Sequence, residues 1–458
     1  MQLAICTTES RQHLVKRLLT SLKVRPNDFT KVVVVMRGKK DPSIWDSLSL
    51  PCEVLIADSE YRDQLLNQIK ELSQAPKDAI DFGLQEKAEG PLSTGLQRNW
   101  VTLLTHGHCV AICDDDLVGP ISLFSPPGSP QAKVGRLKYS EIDEVECTDS
   151  MVKPIEVPLA SLDDCKDLLK AISLADLLEF QNWFALSKDQ NAQVWAGFIG
   201  DSGNQVQVPL VMYPPNAWNH MSDEQIKAAL HTRTVLRAGP SLLEAPMVAV
   251  QFSFSMLSKE FSWPPFFPYF RSQTGGFYQI SKLLYPDLRV LLTPFVLKHL
   301  PEPTRSQDLA EIIGSLRRIG TDRLIHLALG GLAPGVSFGD IAKALKGVAS
   351  SGHQFFRQAQ LELQSQNQDL AGVLEKRFQG HSRPILKELV LQAAQELRKE
   401  YSFVSDILPY DYLAGRADAP GVMLDEWSDK FDSFARLVAH WPDILAASVR
   451  LKIGDSQI

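Results

Sequence analysis

Five apolar residues follow one another without interruption at Val32–Met36. A strand with one face in water alternates apolar and polar side chains, whereas a strand covered on both faces reads as a continuous apolar run. Similar short runs occur at Gln2–Cys6, Cys52–Ala57 and Val110–Cys113, and stretches with helical spacing separate them. This alternation predicts a doubly wound α/β sheet, with helices on both faces, over the first 120 residues.

Polar side chains follow each of these four predicted strands. In open α/β sheets, ligands bind in the crevice outside the carboxyl ends of the strands, so these side chains are expected to converge on one site. The first group includes Thr7, Thr8, Glu9 and Arg11, and the other three groups are Arg37–Lys40, Asp58–Ser59 and Asp114–Asp116.

The fourth group contains three adjacent carboxylates, Asp114, Asp115 and Asp116. Burying an unpaired charge costs several kcal/mol, so these acids are not expected to belong to the core. They also repel one another, which favours a hard divalent cation with a phosphate ligand between them. The alternative is a solvated loop after the strand, or the N-cap of a helix.

The loop after the first strand contains neither Gly-x-Gly-x-x-Gly nor the P-loop pattern Gly-x-x-x-x-Gly-Lys-Ser/Thr. Dinucleotide-binding and P-loop interpretations therefore lose their main support. Phosphate groups at this site are expected to be held by a metal ion and by Arg or Lys side chains.

Composition and charge narrow the class of protein. A chain of 458 residues has room for two to three domains. Its net charge of −7, without any basic run, argues against a nucleic-acid partner. The six cysteines lack zinc-site spacing, and neither a signal peptide nor an 18-residue apolar stretch is found. We therefore expect reduced thiols, a cytoplasmic location and no transmembrane segment, with peripheral membrane association left open.

The rest of the chain gives weaker signals. Residues 74–94 are interpreted as irregular, and residues 119–158, rich in Pro, Gly and Ser, as a long loop or insertion. After residue 306, helical spacing dominates and predicts an all-helical domain over 306–458 that could pair two subunits. Between these parts we predict a helix at Ser161–Leu186, strands at Gln193–Ile199, Val206–Met212 and Val248–Met256, and a rigid aromatic loop at Trp263–Phe277.

Three stretches carry a resemblance to a known family: Ala4–Arg11, Gly95–Asn99 and Ile112–Asp116. In order and spacing they resemble the GT-A fold of nucleotide-diphospho-sugar glycosyltransferases, bacterial family 2-like, in which an Arg-Asn pair on a helix precedes a strand ending in Asp-x-Asp. The segment from Pro264–Arg271 to His299–Pro301 looks like the acceptor half of such enzymes. The resemblance covers residues 1–305, with 1–120 as the nucleotide-sugar-binding half and 120–305 as the acceptor half.

The resemblance implies a donor site with Mn²⁺ or Mg²⁺ held by Asp114, Asp116 and His299. Asp116 would contact the metal directly, and Asp114 would lie nearer the ribose or reach the ion through water. A bound ion would neutralise the charge that develops on the leaving diphosphate. The nucleotide sugar itself would contact Thr7, Thr8, Glu9, Arg11, Arg37, Asp58, Arg98, Asp114 and Asp115.

The acceptor half departs from the family pattern. Inverting members carry an acidic pair after the aromatic loop, whereas Gln273 and Thr274 stand at the matching positions here. The catalytic base comes from elsewhere, the mechanism is retaining, or the protein is impaired. No catalytic residue is assigned from the sequence.

The sequence thus favours a metal-dependent hexosyl- or N-acetylhexosaminyltransferase that uses a UDP-sugar. Its acceptor would be a glycan, a peptide or protein, or a small molecule. Two alternatives stay open. One is a non-catalytic binding or scaffold protein on a GT-A-like frame, and the other is a nucleotidyltransferase, which usually has a glycine-rich basic loop after the first strand.

Overall fold

In the computed structural model, the described residues form an α/β protein with one mixed sheet of 12 strands and helices that dominate the C-terminal third. This confirms the predicted fold class at the level of α/β architecture followed by a helical region. The residues that it describes are 1–24, 28–86, 94–124, 155–158, 169–171, 192–201, 218–219, 221–232, 234–238, 243–244, 254–259, 261–269, 273–302, 321–399 and 420–451.

The four strands predicted in the first 120 residues are present and parallel, in the order β3-β2-β1-β4. Residues Val32–Met36 are fully buried, as the uninterrupted apolar run predicts. The strands are β1 (Gln2–Thr8), β2 (Lys31–Arg37), β3 (Glu53–Ala57) and β4 (Val110–Asp114). The helices between them are α1 (Gln12–Leu22), α2 (Pro42–Trp45), α3 (Ser59–Leu72), α4 (Lys77–Leu84) and α5 (Thr94–Leu104).

The strand order reverses between β1 and β4. The chain runs outward from β1 through β2 to β3 and then returns to place β4 on the other side of β1. Cys6 of β1 lies opposite Asp114 of β4, so the carboxyl ends of these two strands are level. Such a reversal opens a crevice at the carboxyl ends of the two strands, where α/β proteins bind their ligands.

Beyond β4 the sheet becomes mixed and continues in the order β11-β8-β12-β5-β7. Strand β12 lies antiparallel to β5 and pairs His299 with Leu117, which directly follows Asp116. These strands are β5 (Leu117–Phe124), β6 (Ile155–Pro158), β7 (Leu169–Ala171), β8 (Ala192–Asp201), β9 (Thr234–Ala238), β10 (Leu243–Glu244), β11 (Phe254–Leu257) and β12 (Arg289–His299). Two helices accompany them, α6 (Asp223–Thr232) and α7 (Gln273–Leu284).

Three local predictions are wrong. Residues 74–94 contain helix α4, whose apolar side chains are buried although the surrounding sequence is polar. Residues Leu169–Ala171, predicted as helix, form β7 because they pair with β5. The aromatic loop is shorter than predicted, since α7 begins at Gln273. The predicted strand Val206–Met212 and most of the insertion at 119–158 lie outside the described residues.

The helices of the C-terminal third are α8 (Thr321–Leu329), α9 (Phe338–Ser351), α10 (His353–Phe378), α11 (Pro384–Arg398) and α12 (Pro420–Ser448). A proline usually ends or kinks a helix, and the sequence is therefore expected to form two helices, at 423–440 and 442–452, but α12 continues through Pro442. Proline removes one helical hydrogen bond. Here Trp441, Ile444 and Leu445 are buried on both sides of it, and their packing holds the helix together.

Helix α12 shares its apolar core with the α/β part of the chain. Trp427 and Phe434 belong to the same buried cluster as Trp100 of α5 and Phe267 of the aromatic loop. Helices α10 and α11 form a further cluster with Phe198 of β8. The domain boundary near residue 305 and the pairing of two subunits through residues 306–458 stay predictions.

Among the described residues, no helix combines the length and the apolarity that a membrane span requires.

Candidate functional site

The predicted polar groups at the ends of β1 and β4 meet around the three carboxylates. Thr7 Oγ1 donates a hydrogen bond of 2.7 Å to Asp115 Oδ2. Gln97 of α5 donates from Nε2 to the carbonyl oxygen of Thr7, which fixes the end of β1 against the helix. Thr7 and Asp115 are both buried.

Arg11 joins two of the acids. After β1 the chain makes a short 3-10 turn over Glu9–Arg11, and Arg11 Nη2 then lies 2.7 Å from Asp115 Oδ1 and 2.8 Å from Asp116 Oδ2. Both aspartates are only 4% exposed. The expectation that the acids lie outside the core is therefore wrong for these two, because the chain supplies the counter-charge that their burial requires.

His299 brings a second cation to Asp116. Its Nε2 lies 3.0 Å from Asp116 Oδ1, and its Nδ1 donates 2.5 Å to the carbonyl oxygen of Asp201. Burial alone would lower the pKa of His299, but the hydrogen bond and the charge of Asp116 outweigh it and raise the pKa to about 9. Burial likewise opposes ionisation of Asp116, yet His299 and Arg11 hold its pKa well below the usual range.

The other two carboxyls titrate nearer neutrality. Burial raises the pKa of Asp115 to about 7, against the opposing charge of Arg11. Burial also raises the pKa of Asp114 to about 6, against the opposing charge of Arg98. A carboxyl that titrates near neutrality is a common property of functional sites.

Asp114 is the most accessible of the three acids, with 32% of its side chain exposed. Arg98 Nη2 lies 3.3 Å from Asp114 Oδ1, and Arg98 Nη1 donates 3.1 Å to Thr274 Oγ1. The guanidinium carbon is 5.7 Å from the centre of the Phe266 ring, a cation–π distance. Arg98 therefore links the acids to the first turn of α7, where the acceptor half is expected.

Asn99, the neighbour of Arg98, is structural. Its Nδ2 donates 3.0 Å to the carbonyl oxygen of Gly83 and 3.1 Å to that of Phe266, and its Oδ1 accepts 2.7 Å from Phe266 N. Asn99 is fully buried. It holds the aromatic loop against α5 and so fixes the ring over which Arg98 lies.

Thr8 and Glu9 lie at the exposed rim of the site. Glu9 Oε2 accepts 3.1 Å from Lys39 N, which ties the ends of β1 and β2 together. Thr8 precedes the 3-10 turn without capping it, and its Oγ1 is 3.3 Å from Ser10 Oγ. Thr8 or Ser10, at the end of a strand and before a helical pattern, would be expected to cap the next helix, but neither the 3-10 turn nor α1 has a side-chain cap.

Asp58 and Arg37 lie at the ends of β3 and β2. Asp58 caps α3 by accepting 3.0 Å from Tyr61 N. Arg37 Nε lies 2.7 Å from Glu86 Oε1, and the buried Arg62 lies 2.7 Å from Glu86 Oε2. Neither Glu86 nor Arg62 is identified from the sequence. Glu86 lies within the stretch 74–94 that is interpreted as irregular, and Arg62 has the spacing of an ordinary helical residue.

The 3.0 Å between Asp116 and His299 is the length of an ion pair and also the spacing of two ligands on a metal ion. Two ligands about 2.1 Å from Mg²⁺ at a right angle are about 3 Å apart, and Asp116 Oδ1 and His299 Nε2 are 3.0 Å apart. Metal-binding histidines usually donate their other ring nitrogen to a carbonyl or carboxylate, as His299 does to Asp201. A metal would have to displace the proton on Nε2.

The predicted set of three ligands is not assembled. Asp114 pairs with Arg98, and among the described residues no group of three His, Cys, Asp or Glu side chains could hold a metal ion. The metal role of Asp114 stays a prediction.

Comparison with models of protein families and with curated proteins gave no match for this chain.

Proposed function

We propose that this protein transfers a hexosyl or N-acetylhexosaminyl group from a nucleotide-diphosphate sugar, with UDP-sugars favoured, to an acceptor hydroxyl. The observation that carries the proposal is the contact of His299 with Asp116 beside the reversal of strand order between β1 and β4. The end of β12, which is distant in the sequence, thereby meets the acids in the crevice at the carboxyl ends of β1 and β4, where α/β sheets bind nucleotides. The order β3-β2-β1-β4 also supports the resemblance to GT-A enzymes.

Each residue of the site has a role in this proposal. Arg98 would attract the diphosphate, and Asp114, exposed beside it, would contact the ribose or reach a metal through water. Asp116 and His299 would hold Mn²⁺ or Mg²⁺, which would neutralise the charge that develops on the leaving diphosphate. The base and ribose would contact the ends of β1, β2 and β3, which carry Thr7, Thr8, Glu9, Arg11, Arg37 and Asp58.

Ligand-dependent thermal stabilisation tests the proposal, because a ligand that binds only the folded state raises the melting temperature. UDP, GDP and ADP are each added with Mn²⁺ and with EDTA, and a shift that needs both a nucleotide and Mn²⁺ is expected. For Asp114→Asn, we expect that at least 10-fold more nucleotide is needed to give the same shift in melting temperature. Asp63→Asn, an exposed change on α3, is the matched control and should behave like the wild type.

A non-catalytic binding protein is the second candidate, and one observation favours it. The positive charges of Arg11, Arg98 and His299 already face the three carboxylates, so the chain itself neutralises these acids without a catalytic metal ion. Release of UDP from a panel of UDP-sugars separates the two functions. Nucleotide binding without UDP release by any sugar would support the binding protein, whereas release of pyrophosphate from a nucleoside triphosphate and a sugar phosphate would indicate a nucleotidyltransferase.

A further inference from the structure

The first turn of α7 lacks the carboxylate that the family pattern leads one to expect, but α8 brings one to it. A Cβ atom at Gly275 would lie 2.7 Å from Asp322 Cβ and 2.7 Å from Asp322 Oδ2. Real Cβ atoms do not approach other atoms this closely. Asp322 therefore occupies the space that a side chain at position 275 would fill, and its carboxylate lies against the backbone of this turn.

The same turn of α7 reaches the donor site. Thr274, the residue before Gly275, accepts a hydrogen bond from Arg98, and Arg98 pairs with Asp114. Thr274 is thus connected through Arg98 to the acids at the end of β4, and the carboxylate of Asp322 lies against the next residue, Gly275.

The environment of Asp322 suits a group that accepts a proton. Its Oδ1 accepts 2.9 Å from Arg323 N, and the backbone N–H of Asp322 itself and the charge of Arg323 also favour the carboxylate form. Burial raises its pKa to about 6. A general base works best when its pKa is close to the working pH. Asp322 lies in the first turn of α8, where the helix dipole and the N–H of Arg323 favour a carboxylate, and its other oxygen, Oδ2, lies against Gly275.

We propose that Asp322 is the general base of the transfer reaction. This inference rests on the proposed glycosyltransferase function. The acceptor hydroxyl oxygen bonds to the anomeric carbon while the bond from that carbon to the diphosphate oxygen breaks. The hydroxyl proton passes to the Asp322 carboxylate, and the electron pair of the broken bond leaves on the nucleoside diphosphate. The reaction inverts the anomeric configuration because attack and departure occur on opposite faces.

The test measures UDP release from the UDP-sugar that the wild-type protein turns over, with water or an added sugar as acceptor. Asp322→Asn keeps the shape of the side chain and is expected to lower kcat by about 100-fold or more, the usual contribution of general base catalysis. The KM for the UDP-sugar is expected to stay within about two-fold, because the proposal assigns Asp322 to the acceptor hydroxyl and not to donor binding. Far-UV circular dichroism and the UDP-dependent melting shift verify that the variant is folded.

A pair of glycine variants separates catalysis from packing. Gly275→Ala places a methyl group against the carboxylate and is expected to lower kcat. Gly276→Ala is the matched control, because its methyl group would meet Ile325 Cδ1, at 2.6 Å, on the same face of α8. The control should keep kcat near the wild-type value.

Chemical rescue gives a readout that a structural role would not produce. Asp322→Ala leaves space beside Gly275 for a formate ion. A side chain held in place acts at an effective concentration far above 1 M, so formate at about 0.1–1 M is expected to restore only part of kcat. The inference is overturned if Asp322→Asn keeps more than a third of kcat, or if formate has no effect on Asp322→Ala. It is also overturned if wild-type protein binds UDP but releases none. Absence of nucleotide binding by the wild type would instead refute the proposed function.

Discussion

Arg11 is the cation that two buried carboxylates share, so its replacement tests whether the chain itself neutralises the acids. Arg11→Met removes contacts of 2.7 Å to Asp115 and 2.8 Å to Asp116, and both acids are 4% exposed. Breaking a fully buried ion pair costs about 3–5 kcal/mol. Because 32% of the Arg11 side chain is exposed, solvent screening reduces the cost, and we expect about 2–3 kcal/mol at pH 8.

The loss is expected to depend on pH. Burial raises the pKa of Asp115 to about 7, so this carboxyl is ionised at pH 8 and protonated at pH 5. Loss of Arg11 raises that pKa further and destabilises only the ionised form, so the effect is absent well below pH 7, grows as the pH rises through 7 and is complete only above the raised pKa of the variant. At pH 5 we expect the cost of Arg11→Met to fall to about 1 kcal/mol, from the contact with Asp116 alone.

Urea denaturation followed by tryptophan fluorescence at the two pH values measures this difference. Arg17→Met is the matched control, since Arg17 lies on α1, is 29% exposed and pairs with Glu302, itself 51% exposed. Because the carboxylate of this pair is exposed, the pair contributes about 1 kcal/mol or less, and Arg17 also donates 2.8 Å to the carbonyl oxygen of Leu300. The reasoning is refuted if Arg11→Met costs no more than Arg17→Met at pH 8, or if its cost is the same at pH 5 and pH 8.

Three further predictions concern stability. In metal-free protein, His299 has a pKa of about 9 against an ordinary 6.5. Its contribution is therefore complete below pH 6.5 and lost as the pH rises through 9. The melting temperature of the wild type should fall toward that of His299→Gln over this range, and parallel curves would contradict it. Phe267→Ala removes a ring packed on Trp427 and Phe434 and should cost about 3–5 kcal/mol in urea denaturation, whereas less than 1 kcal/mol would show loose packing. Asn99→Leu leaves three backbone groups without their hydrogen bonds and should cost about 2–3 kcal/mol, and an unchanged urea midpoint would contradict the structural role.

The parallel half of the sheet could be predicted from the sequence because its signals are local. The continuous apolar run at Val32–Met36 requires cover on both faces, and each strand ends where polar residues begin. The same locality indicated that Thr7 and the acids at Asp114–Asp116 would meet, since parallel strands end at one edge of the sheet, whereas Arg98 was assigned to the site only by the resemblance. Helix α4 was missed because its few apolar residues are significant only when α12 packs on them.

The state of the acids could not be predicted, because it depends on partners distant in the sequence. Repulsion among Asp114, Asp115 and Asp116 indicated that a positive charge was needed, but nothing local distinguishes a metal ion from a side chain. Arg11 and His299 provide that charge only after β1 and β12 have been placed in the sheet. Asp322 was missed for the same reason, since its position follows from the packing of α8 on Gly275.

The shared core of α12 has a consequence for how the protein is made. Four aromatic side chains of this helix, including Trp427 and Trp441, complete the core around the aromatic loop, and Trp441 donates 2.7 Å to the carbonyl oxygen of Trp263. Helix α12 is also the last described helix to leave the ribosome. Until it does, the apolar faces of α4 and the aromatic loop stay in water, a condition that favours aggregation and chaperone binding. We expect nascent chains that end before residue 420 to expose this surface and to bind nucleotide poorly.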